Sequence, residues 1–465
     1  MEVKALDIFL KQKRFDLIFK YLYVKYRNNF TRRAYLENIR SFNGFYEVNP
    51  SDGIPKQSAE DFVLSFDELI KNLEDNNFTQ TKGTIPIGSN GEITDGAHRL
   101  AACAYMNLTI DVCEDLEYTN LYDYRFFRKM KMDEAIMDYG ALEYVKLNPN
   151  AYIVNLHSVV DVANDDTVEA ILNKYGCVFY KKSVDLTYNG YVNVKKISYG
   201  SFWERESWIG NSTNKFSGLQ EHAQCSRGKF PLRAFVFICE NLDYVVKAKQ
   251  EIRELFNIGN FSVHINDTHD EAIWMAETYF NANSLSFINH RPFFLEDESF
   301  DVRIDNFKKY LSEVGVSIDD VCGAGSTPLN VFAIRKSDDF DYLSLNKKCN
   351  ISDNIYSPHD DQLTNYPYSK QEIITNPQYH FYYHGLKFIS LSVLYKFKEK
   401  RSERPKDLRD CRLIRKFYYK SFFDFSDAKR RMRETIQKTI VFHFILRCIR
   451  KIKRILRKLF FYNGK

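Results

Sequence analysis

Two short segments in the last third of the chain combine residue types that suit phosphate chemistry. Gly325 and Ser326 are followed, after a spacer of twelve residues, by Asp339 and Asp341. A glycine lets the backbone approach a triphosphate closely, and a serine offers it an amide and a hydroxyl. If the acidic pair lies on a strand, both carboxylates point to one side, because side chains two residues apart share a face. Two such carboxylates can hold Mg²⁺, which neutralises charge at a transferring phosphorus.

These residues, together with two later segments, resemble the polymerase-β-like nucleotidyltransferase superfamily. The later segments are Gly385–Leu391 and Arg404–Asp410, and the likeness covers about 110 residues. The resemblance implies a nucleotidyltransferase fold near the end of the chain. It also implies two cofactors, Mg²⁺ and a nucleoside triphosphate, either ATP or CTP.

The resemblance assigns roles to individual residues. It implies catalytic metal ligands at Asp339 and Asp341. It implies nucleotide-binding residues at Gly325, Ser326 and Lys387. The alternative for the acidic pair is a solvated strand edge, since two aspartates one residue apart also occur by chance.

The superfamily usually has a third carboxylate on a later strand. Three aspartates of this chain are candidates for it: Asp353, Asp360 and Asp361. The sequence does not choose among them.

A second group of polar residues lies near the start of the chain, at the junction of a predicted strand and a predicted helix. Residues 85–87 form a short apolar strand, a turn follows, and Asp95 and Gly96 open an alanine-rich helix. Exposed amides and the helix dipole favour an anion at such a junction. Arg99 can fork onto a phosphate and His98 can donate to it. Asp95 can accept from a hydroxyl or help to hold Mg²⁺.

Residues 35–115 resemble the ParB/sulfiredoxin-like fold through this segment. That fold includes phosphate-binding modules of DNA-partitioning proteins, sulfiredoxins and small-molecule kinases. Its kinases place a glutamate near an early strand as a base, so Glu47 is the first candidate here and Glu37 the second. The sulfiredoxin cysteine is missing, because Ala97 stands in its region and Cys103 lies a turn further on. The resemblance favours a kinase-like site over a nuclease; the structural alternative is that Asp95 only caps a helix.

Net charge is distributed unevenly. The chain carries +5, but residues 428–465 hold 13 Lys and Arg against one Glu, which leaves −7 for residues 1–427. An acidic body argues against nucleic acid as a partner, and a basic tail should meet anionic surfaces first.

The tail has the pattern of an amphipathic helix over residues 440–461. Apolar residues recur at helical spacing from Ile445 to Leu459, and five Lys and Arg residues between positions 451 and 458 fill the other face. Such a helix suits an anionic membrane surface, with a partner-binding helix or RNA contact as alternatives. No signal peptide or membrane span is evident, and nine scattered cysteines suggest reduced thiols. We therefore expect a cytoplasmic protein that associates peripherally with the inner face of the membrane.

The predicted fold class is α+β with several domains. The expected parts are a ParB/sulfiredoxin-like phosphate-binding domain (1–125), a mixed α/β middle domain (126–300), a nucleotidyltransferase-like domain (301–425) and the basic helical tail (426–465). In the middle domain, His264 and His269 with neighbouring acids invite a metal site, but Thr268 and Glu271 form a capping box, which is the stronger interpretation. A polar cleft around Asn281–Arg291 is a further possibility there.

These features together predict an enzyme with two sites that activates a small molecule. The first domain would phosphorylate a sugar, polyol or amino alcohol, and the last would couple the phosphorylated product to a nucleotide, for surface glycan assembly. The alternative is a ParB-like nucleic-acid-binding or nuclease protein of the defence or toxin type that also has a nucleotidyltransferase domain. A third possibility is a scaffold whose two sites have decayed.

Overall fold

The structure is a computed structural model, and it describes residues 2–48, 53, 55–76, 84–115, 121–200 and 207–422. Residues 1–408 form one compact unit and residues 409–465 a second. The basic helix predicted at 440–461 lies outside the described residues. Over the described part the chain is an α+β protein with several sheets, in agreement with the predicted class. Within that part, no helix combines the length and the apolarity needed to span a bilayer.

The first part of the chain packs helices around a small sheet. Its elements are β1 (Glu2–Lys4), α1 (Ala5–Lys11), α2 (Leu17–Tyr26), α3 (Asn29–Asn43), β2 (Glu47–Val48), β3 (Pro55–Lys56), α4 (Ala59–Asn76), β4 (Ile85–Ile87), α5 (Ala97–Tyr105) and β5 (Thr109–Glu114). Strand β5 is central, pairing antiparallel with β1 and parallel with β4. The turn after β4 returns the chain antiparallel to that strand, with Ile93 opposite Ile87, so α5 begins beside the amino end of β4, where Gly96 lies close to Ile85.

The middle part surrounds a four-stranded antiparallel sheet. Its elements are α6 (Tyr124–Lys129), α7 (Glu134–Leu147), β6 (Ala151–Leu156), α8 (Asp165–Tyr175), β7 (Cys177–Val184), α9 (Tyr188–Gly200), α10 (Ser217–Ser226), β8 (Leu232–Ile238), α11 (Leu242–Phe256), β9 (Val263–Ile265), α12 (His269–Tyr279) and α13 (Ala282–His290). The strand order is β7-β8-β6-β9. Six consecutive residues of β8, from Leu232 to Phe237, are buried, so this strand runs through the core.

The last part forms a five-stranded mixed sheet. Its elements are α14 (Glu298–Glu313), β10 (Val321–Gly323), α15 (Thr327–Val331), β11 (Phe340–Ser344), β12 (Tyr356–Pro358), α16 (Lys370–Thr375), β13 (His380–Tyr383), β14 (Leu386–Ile389), α17 (Leu391–Glu399) and α18 (Pro405–Phe422). The strand order is β12-β11-β10-β14-β13. Strands β10 and β11 are antiparallel, with Gly323 opposite Tyr342. The turn after β10 therefore lies beside the start of β11.

The structure differs from the sequence predictions at the two boundaries between the three stretches. The predicted boundaries after residues 125 and 300 fall inside helices α6 and α14. Each of the three stretches nevertheless contributes its own sheet.

Candidate active site

A cavity of about 330 Å³ lies where the end of β10 meets the start of β11. The residues that line it include Gly325, Ser326, Asp339, Asp341, Ser352, Ser357, His359, Asp361, Lys398, Arg401, Arg404, Lys406 and Asp407. The glycine–serine turn and the acidic pair that the sequence suggested for one site thus line the same cavity.

The turn after β10 approaches the acidic pair closely. Gly325 has φ +55°, a conformation that glycine adopts without strain. A β-carbon at this position would overlap the Asp341 carboxylate. The Ala324 N–H donates to the Asp341 carbonyl at 2.7 Å, and the Gly325 N–H donates to the Tyr366 hydroxyl at 3.3 Å. Glycine is therefore required for the turn to lie against β11.

The acidic pair follows the strand alternation predicted for it. Asp339 precedes β11 and Asp341 is its second residue, while Phe340 and Tyr342 are completely buried. Asp341 accepts a hydrogen bond from the Ser357 hydroxyl at 2.9 Å. Burial raises the pKa of Asp341, and the Asp339 carboxylate acts in the same direction. Among the described residues, no Lys or Arg forms an ion pair with either aspartate, so the pair lacks a cationic partner.

His359 links the acidic pair to the turn. Its Nε2 lies 3.9 Å from Asp341 Oδ2, and its Nδ1 lies 2.7 Å from the Tyr366 hydroxyl. Because that hydroxyl accepts the Gly325 N–H, it can donate its own proton to Nδ1, which leaves the imidazole proton on Nε2. Burial lowers the pKa of His359, although the Asp341 carboxylate opposes this effect. The result is a neutral imidazole whose N–H faces Asp341.

Three basic residues of the cavity lie around one buried aspartate, Asp407. Lys398 on α17 is 4% exposed, and its Nζ lies 2.7 Å from Asp407 Oδ1 and 3.2 Å from the Ser326 hydroxyl. The Nε atoms of Arg401 and Arg404 lie 3.5 and 3.7 Å from Asp407 Oδ2. Three cations are thus held near the glycine–serine turn. The Arg404–Asp410 segment of the resemblance contains Asp407 without assigning it a role, and Lys398 and Arg401 lie before that segment.

Lys387, predicted to bind the nucleotide, does not line this cavity. It lies on β14, is 5% exposed, and donates to the Asp319 carbonyl at 2.7 Å. The Asp319 carboxylate is 3.6 Å from Lys387 Nζ and 2.7 Å from Lys146 Nζ. Lys387 is therefore part of a buried charge network beneath the sheet. The lysine in the cavity is Lys398, eleven residues later on the following helix.

The three candidates for a third carboxylate have different surroundings. Asp361 lines the cavity. Asp360 forms an ion pair with Lys370 at 2.9 Å, and Asp353 accepts the Ile355 N–H at 2.7 Å in a turn. Asp361 is therefore the candidate with access to the site.

The two carboxylates of the acidic pair are suitable ligands for Mg²⁺. The described residues contain no group of three or more His, Cys, Asp or Glu arranged to hold a metal. Mg²⁺ does not require one, because it is usually held by one or two carboxylates and completes its shell with water and substrate phosphates. Asp339 and Asp341, which lack a cationic partner, are such a pair.

A second cavity, of about 860 Å³, lies where α5 begins, beside the amino end of β4. It is lined by every residue that the sequence assigned to the first site: Glu47, Asp95, Gly96, His98 and Arg99. Four charged residues that the sequence did not suggest also line it: Arg14, Asp16, Lys20 and Lys56. Glu37, the second candidate for a base, is instead held by Arg40 at 2.7 Å.

The charges in this second cavity are largely compensated. Asp16 accepts two hydrogen bonds from Arg14, both at 3.0 Å, and one from Lys20 at 2.7 Å. Burial alone would raise the pKa of Asp16, but the charges of Arg14 and Lys20 outweigh it and hold that pKa well below its ordinary value. His98 Nε2 lies 3.0 Å from the Tyr35 hydroxyl. Burial, Lys20 and Lys56 hold the pKa of His98 well below its ordinary value, so its imidazole is neutral.

The polar residues of the middle part mostly serve the fold. The Thr268 hydroxyl accepts the Glu271 N–H at 3.3 Å and caps α12, as predicted. His269 contacts the Val145 carbonyl at 2.7 Å. Within the Asn281–Arg291 stretch, side chains cap α13 or bond backbone carbonyls of neighbouring elements. These contacts give the residues suggested for a metal site or a polar cleft a structural role. His264 is the exception.

Comparison with known proteins gives no relative for this chain. No family model, no curated protein and no solved structure matches it.

Proposed function

We propose that the cavity between β10, β11 and the Lys398–Asp407 segment is the site of a Mg²⁺-dependent nucleotidyltransferase. The observation that carries the proposal is the arrangement of charge. Two carboxylates without a cationic partner, a close-packed glycine–serine turn and several cations line one cavity. A metal–triphosphate complex brings both the cation and the anion that such a set of residues binds.

The turn and the basic residues would bind the triphosphate. Gly325 permits close approach of the backbone to a phosphate, and Ser326 offers its hydroxyl. Lys398 and Arg401 would neutralise phosphate charge. The 3.2 Å contact between Lys398 and Ser326 supports this assignment, because both groups can reach one phosphate.

Asp339 and Asp341 would hold Mg²⁺, with Asp361 as a further carboxylate on the cavity wall. When bound, the ion neutralises charge that develops at the α-phosphate. The Ser357 hydroxyl, which donates to Asp341 at 2.9 Å, would hold that carboxylate in position, and His359 faces it from 3.9 Å.

The reaction class is nucleotidyl transfer to a phosphorylated small molecule. A phosphate oxygen of the acceptor forms a bond to the α-phosphorus while the bond to the departing pyrophosphate breaks. The acceptor class is a sugar, polyol or amino-alcohol phosphate, in keeping with a role in surface glycan assembly.

A second candidate function, phosphorylation of a small molecule, is favoured by the cavity at the start of α5. Glu47, Asp95 and Arg99 line it together. Glu47 would accept the proton of an attacking hydroxyl, and Arg99 would hold a phosphate of the nucleotide. The phosphorylated product is the kind of acceptor that the nucleotidyltransferase site needs.

The test is to incubate the full chain with Mg²⁺ and each nucleoside triphosphate over a panel of sugars, polyols, amino alcohols and their phosphates. Pyrophosphate and ADP are followed separately. We expect acceptor-dependent pyrophosphate release that falls at least about 100-fold in the Asp339→Asn/Asp341→Asn variant and persists in Asp95→Asn. Equal pyrophosphate release by the double variant would rule out the proposed site.

A further inference from the structure

A cluster of buried basic side chains lies in the middle part of the chain, away from both cavities described above. We call it the basic cluster, and it consists of His157, Lys195, His222, Arg253 and His264. His157 follows β6, and His264 lies on β9 opposite Asn155 of β6. The other three come from α9, α10 and α11. Five elements therefore contribute to one polar centre.

Several members of the basic cluster lack a partner for their charge or hydrogen-bonding groups. Lys195 is 1% exposed, and its Nζ contacts His157 Nε2 at 2.8 Å and lies over the rings of Tyr191 and Tyr199, with no carboxylate among its described contacts. His222 is 6% exposed, and neither ring nitrogen has a hydrogen-bond partner among the described residues. The buried Nε of Arg253 likewise has none within that part of the chain. Buried polar groups are normally satisfied, so this grouping requires an explanation.

The neighbouring carboxylates are engaged elsewhere. Glu271 pairs with His264 Nε2 at 3.1 Å and accepts the Asp267 N–H at 3.1 Å. The Asp267 carboxylate lies 3.3 Å from Lys249 Nζ. Glu254 accepts from the Gln250 amide. None of these contacts supplies a counter-charge to Lys195 or Arg253.

Burial disfavours the charged forms of the imidazoles and of Lys195 in the cluster. Burial lowers the pKa of His222 to about 3, and the charges of Lys195 and Arg253 contribute. Burial also holds the pKa values of His264 and Lys195 well below their ordinary values. Tyr199 joins the group, with its ring 5.3 Å from that of His222 and 5.1 Å from that of His264. An anion placed here would favour the charged, hydrogen-bond-donating forms of these groups.

The cluster can be reached from solvent. A cavity of about 600 Å³ is lined by Tyr199, Lys249, Arg253 and His264, with Gln250, Glu254, Asn257, Gly259 and Asn260. The lining thus contains two cations from α11 and one imidazole of the cluster. A small molecule in this cavity would meet Arg253 directly.

We propose that the basic cluster and its cavity bind the phosphate group of a small molecule. Arg253, Lys249 and His264 line the cavity, so an anion in it meets a guanidinium, an ammonium and an imidazole, the groups that bind phosphate in proteins. A phosphate offers three acceptor oxygens and close to two negative charges. This site is independent of the proposed nucleotidyltransferase site. With it, the chain would have three phosphate-binding regions, one in each of its three parts.

The experiment is calorimetric titration of the full chain, in EDTA, with inorganic phosphate, a hexose phosphate, ATP and acetate. The variant Arg253→Gln removes the guanidinium, and Lys247→Gln removes a charge from an exposed position of the same helix as a control. We expect Arg253→Gln to weaken phosphate binding at least tenfold and Lys247→Gln to leave it unchanged. The hexose phosphate and ATP arms identify which source of phosphate binds most tightly.

Thermal unfolding separates a lost ligand from a damaged fold. Because neither Arg253 nor Lys195 has an anionic partner within the described part of the chain, Arg253→Gln and Lys195→Met should melt no lower than the parent chain without ligand, yet should lose the rise in melting temperature that phosphate causes. Undiminished phosphate binding in Arg253→Gln would overturn the proposal. Acetate binding as tight as phosphate, or no binding of any phosphate compound, would also overturn it.

Discussion

Asp16 and Asp341 each lie in the wall of a cavity, and their surroundings differ in charge. Asp16 is surrounded by the protein's own cations, which hold its pKa well below the ordinary value. Asp341 has a second carboxylate nearby and no ion pair with Lys or Arg among the described residues, and burial raises its pKa. The first carboxylate contributes to the stability of the fold. In the proposed function, the second carboxylate binds a cation that arrives with the nucleotide.

The largest expected effect is on protein stability, when Asp16, whose charge the neighbouring cations compensate, is replaced. Asp16→Asn leaves Arg14 and Lys20 buried without an anion, so the free energy of unfolding should fall by about 3 to 5 kcal/mol at pH 7. Since the pKa of Asp16 is lowered in the folded state, its contribution is present above its ordinary value of 3.8 and is lost as the pH falls toward the lower folded-state pKa. The difference in the free energy of unfolding between parent and variant should therefore become smaller below about pH 4.

Chemical denaturation across a pH series measures this gap. The control is Asp7→Asn, at an exposed position of α1, which should change stability by less than about 0.5 kcal/mol. An Asp16→Asn chain as stable as the parent at pH 7 would show that the N-terminal cavity does not depend on charge compensation.

The next effect concerns the cations of the C-terminal cavity. Lys398→Met removes the ammonium that contacts Ser326 and Asp407, and should weaken binding of Mg²⁺–triphosphate by roughly 10- to 100-fold. The control is Lys396→Met on the same helix, whose ammonium contacts the Tyr368 hydroxyl instead. Calorimetry on both variants checks the expectation. If both variants bind Mg²⁺–triphosphate with equal affinity, Lys398 does not contribute to the site.

A smaller effect should follow from Gly325→Ala. Alanine at φ +55° is strained and its β-carbon overlaps the Asp341 carboxylate, so both stability and nucleotidyl transfer should fall, stability by roughly 1 to 3 kcal/mol. Gly315→Ala is the matched control, because Gly315 has φ +64° but open space around the added carbon. If the two variants lose the same stability and activity, the close approach of the turn to Asp341 has no special role.

The smallest effect is expected at Tyr366. Tyr366→Phe removes the hydroxyl that bonds both the Gly325 N–H and His359 Nδ1, so the imidazole proton is no longer fixed on Nε2. The turnover number should fall by roughly threefold to tenfold with little change in nucleotide affinity. Steady-state kinetics separate the two quantities. A loss of affinity alone would place Tyr366 in nucleotide binding and not in positioning His359.

The sequence was most informative where the site is local. Gly325, Ser326, Asp339 and Asp341 lie within 17 positions, and their types alone suggested one site. The antiparallel pairing of β10 and β11 brings the turn and the acids together, and strand alternation gives both carboxylates access to the cavity. This part of the site was predictable because its residues are close in sequence and follow the two-residue periodicity of a strand.

The rest depended on contacts between distant positions. Arg14, Asp16 and Lys20 line a cavity with residues about 80 positions later, and no local pattern indicates that. Lys387 lies in the Gly385–Leu391 motif, which is why the resemblance assigns it to the nucleotide; only the sheet shows that Lys387 belongs to a buried network while Lys398 lines the cavity.

The central claim is that the acidic pair of β11 requires an external cation that carries a nucleotide. Its most direct test is calorimetric titration of a non-hydrolysable nucleoside triphosphate into the full chain, with and without Mg²⁺, for the parent and Asp339→Asn/Asp341→Asn. We predict tight binding only with Mg²⁺ and only in the parent, while the ligand-free variant melts no lower, because two neighbouring carboxylates have been neutralised. Binding that is equally strong without Mg²⁺, or equally strong in the variant, would contradict the account.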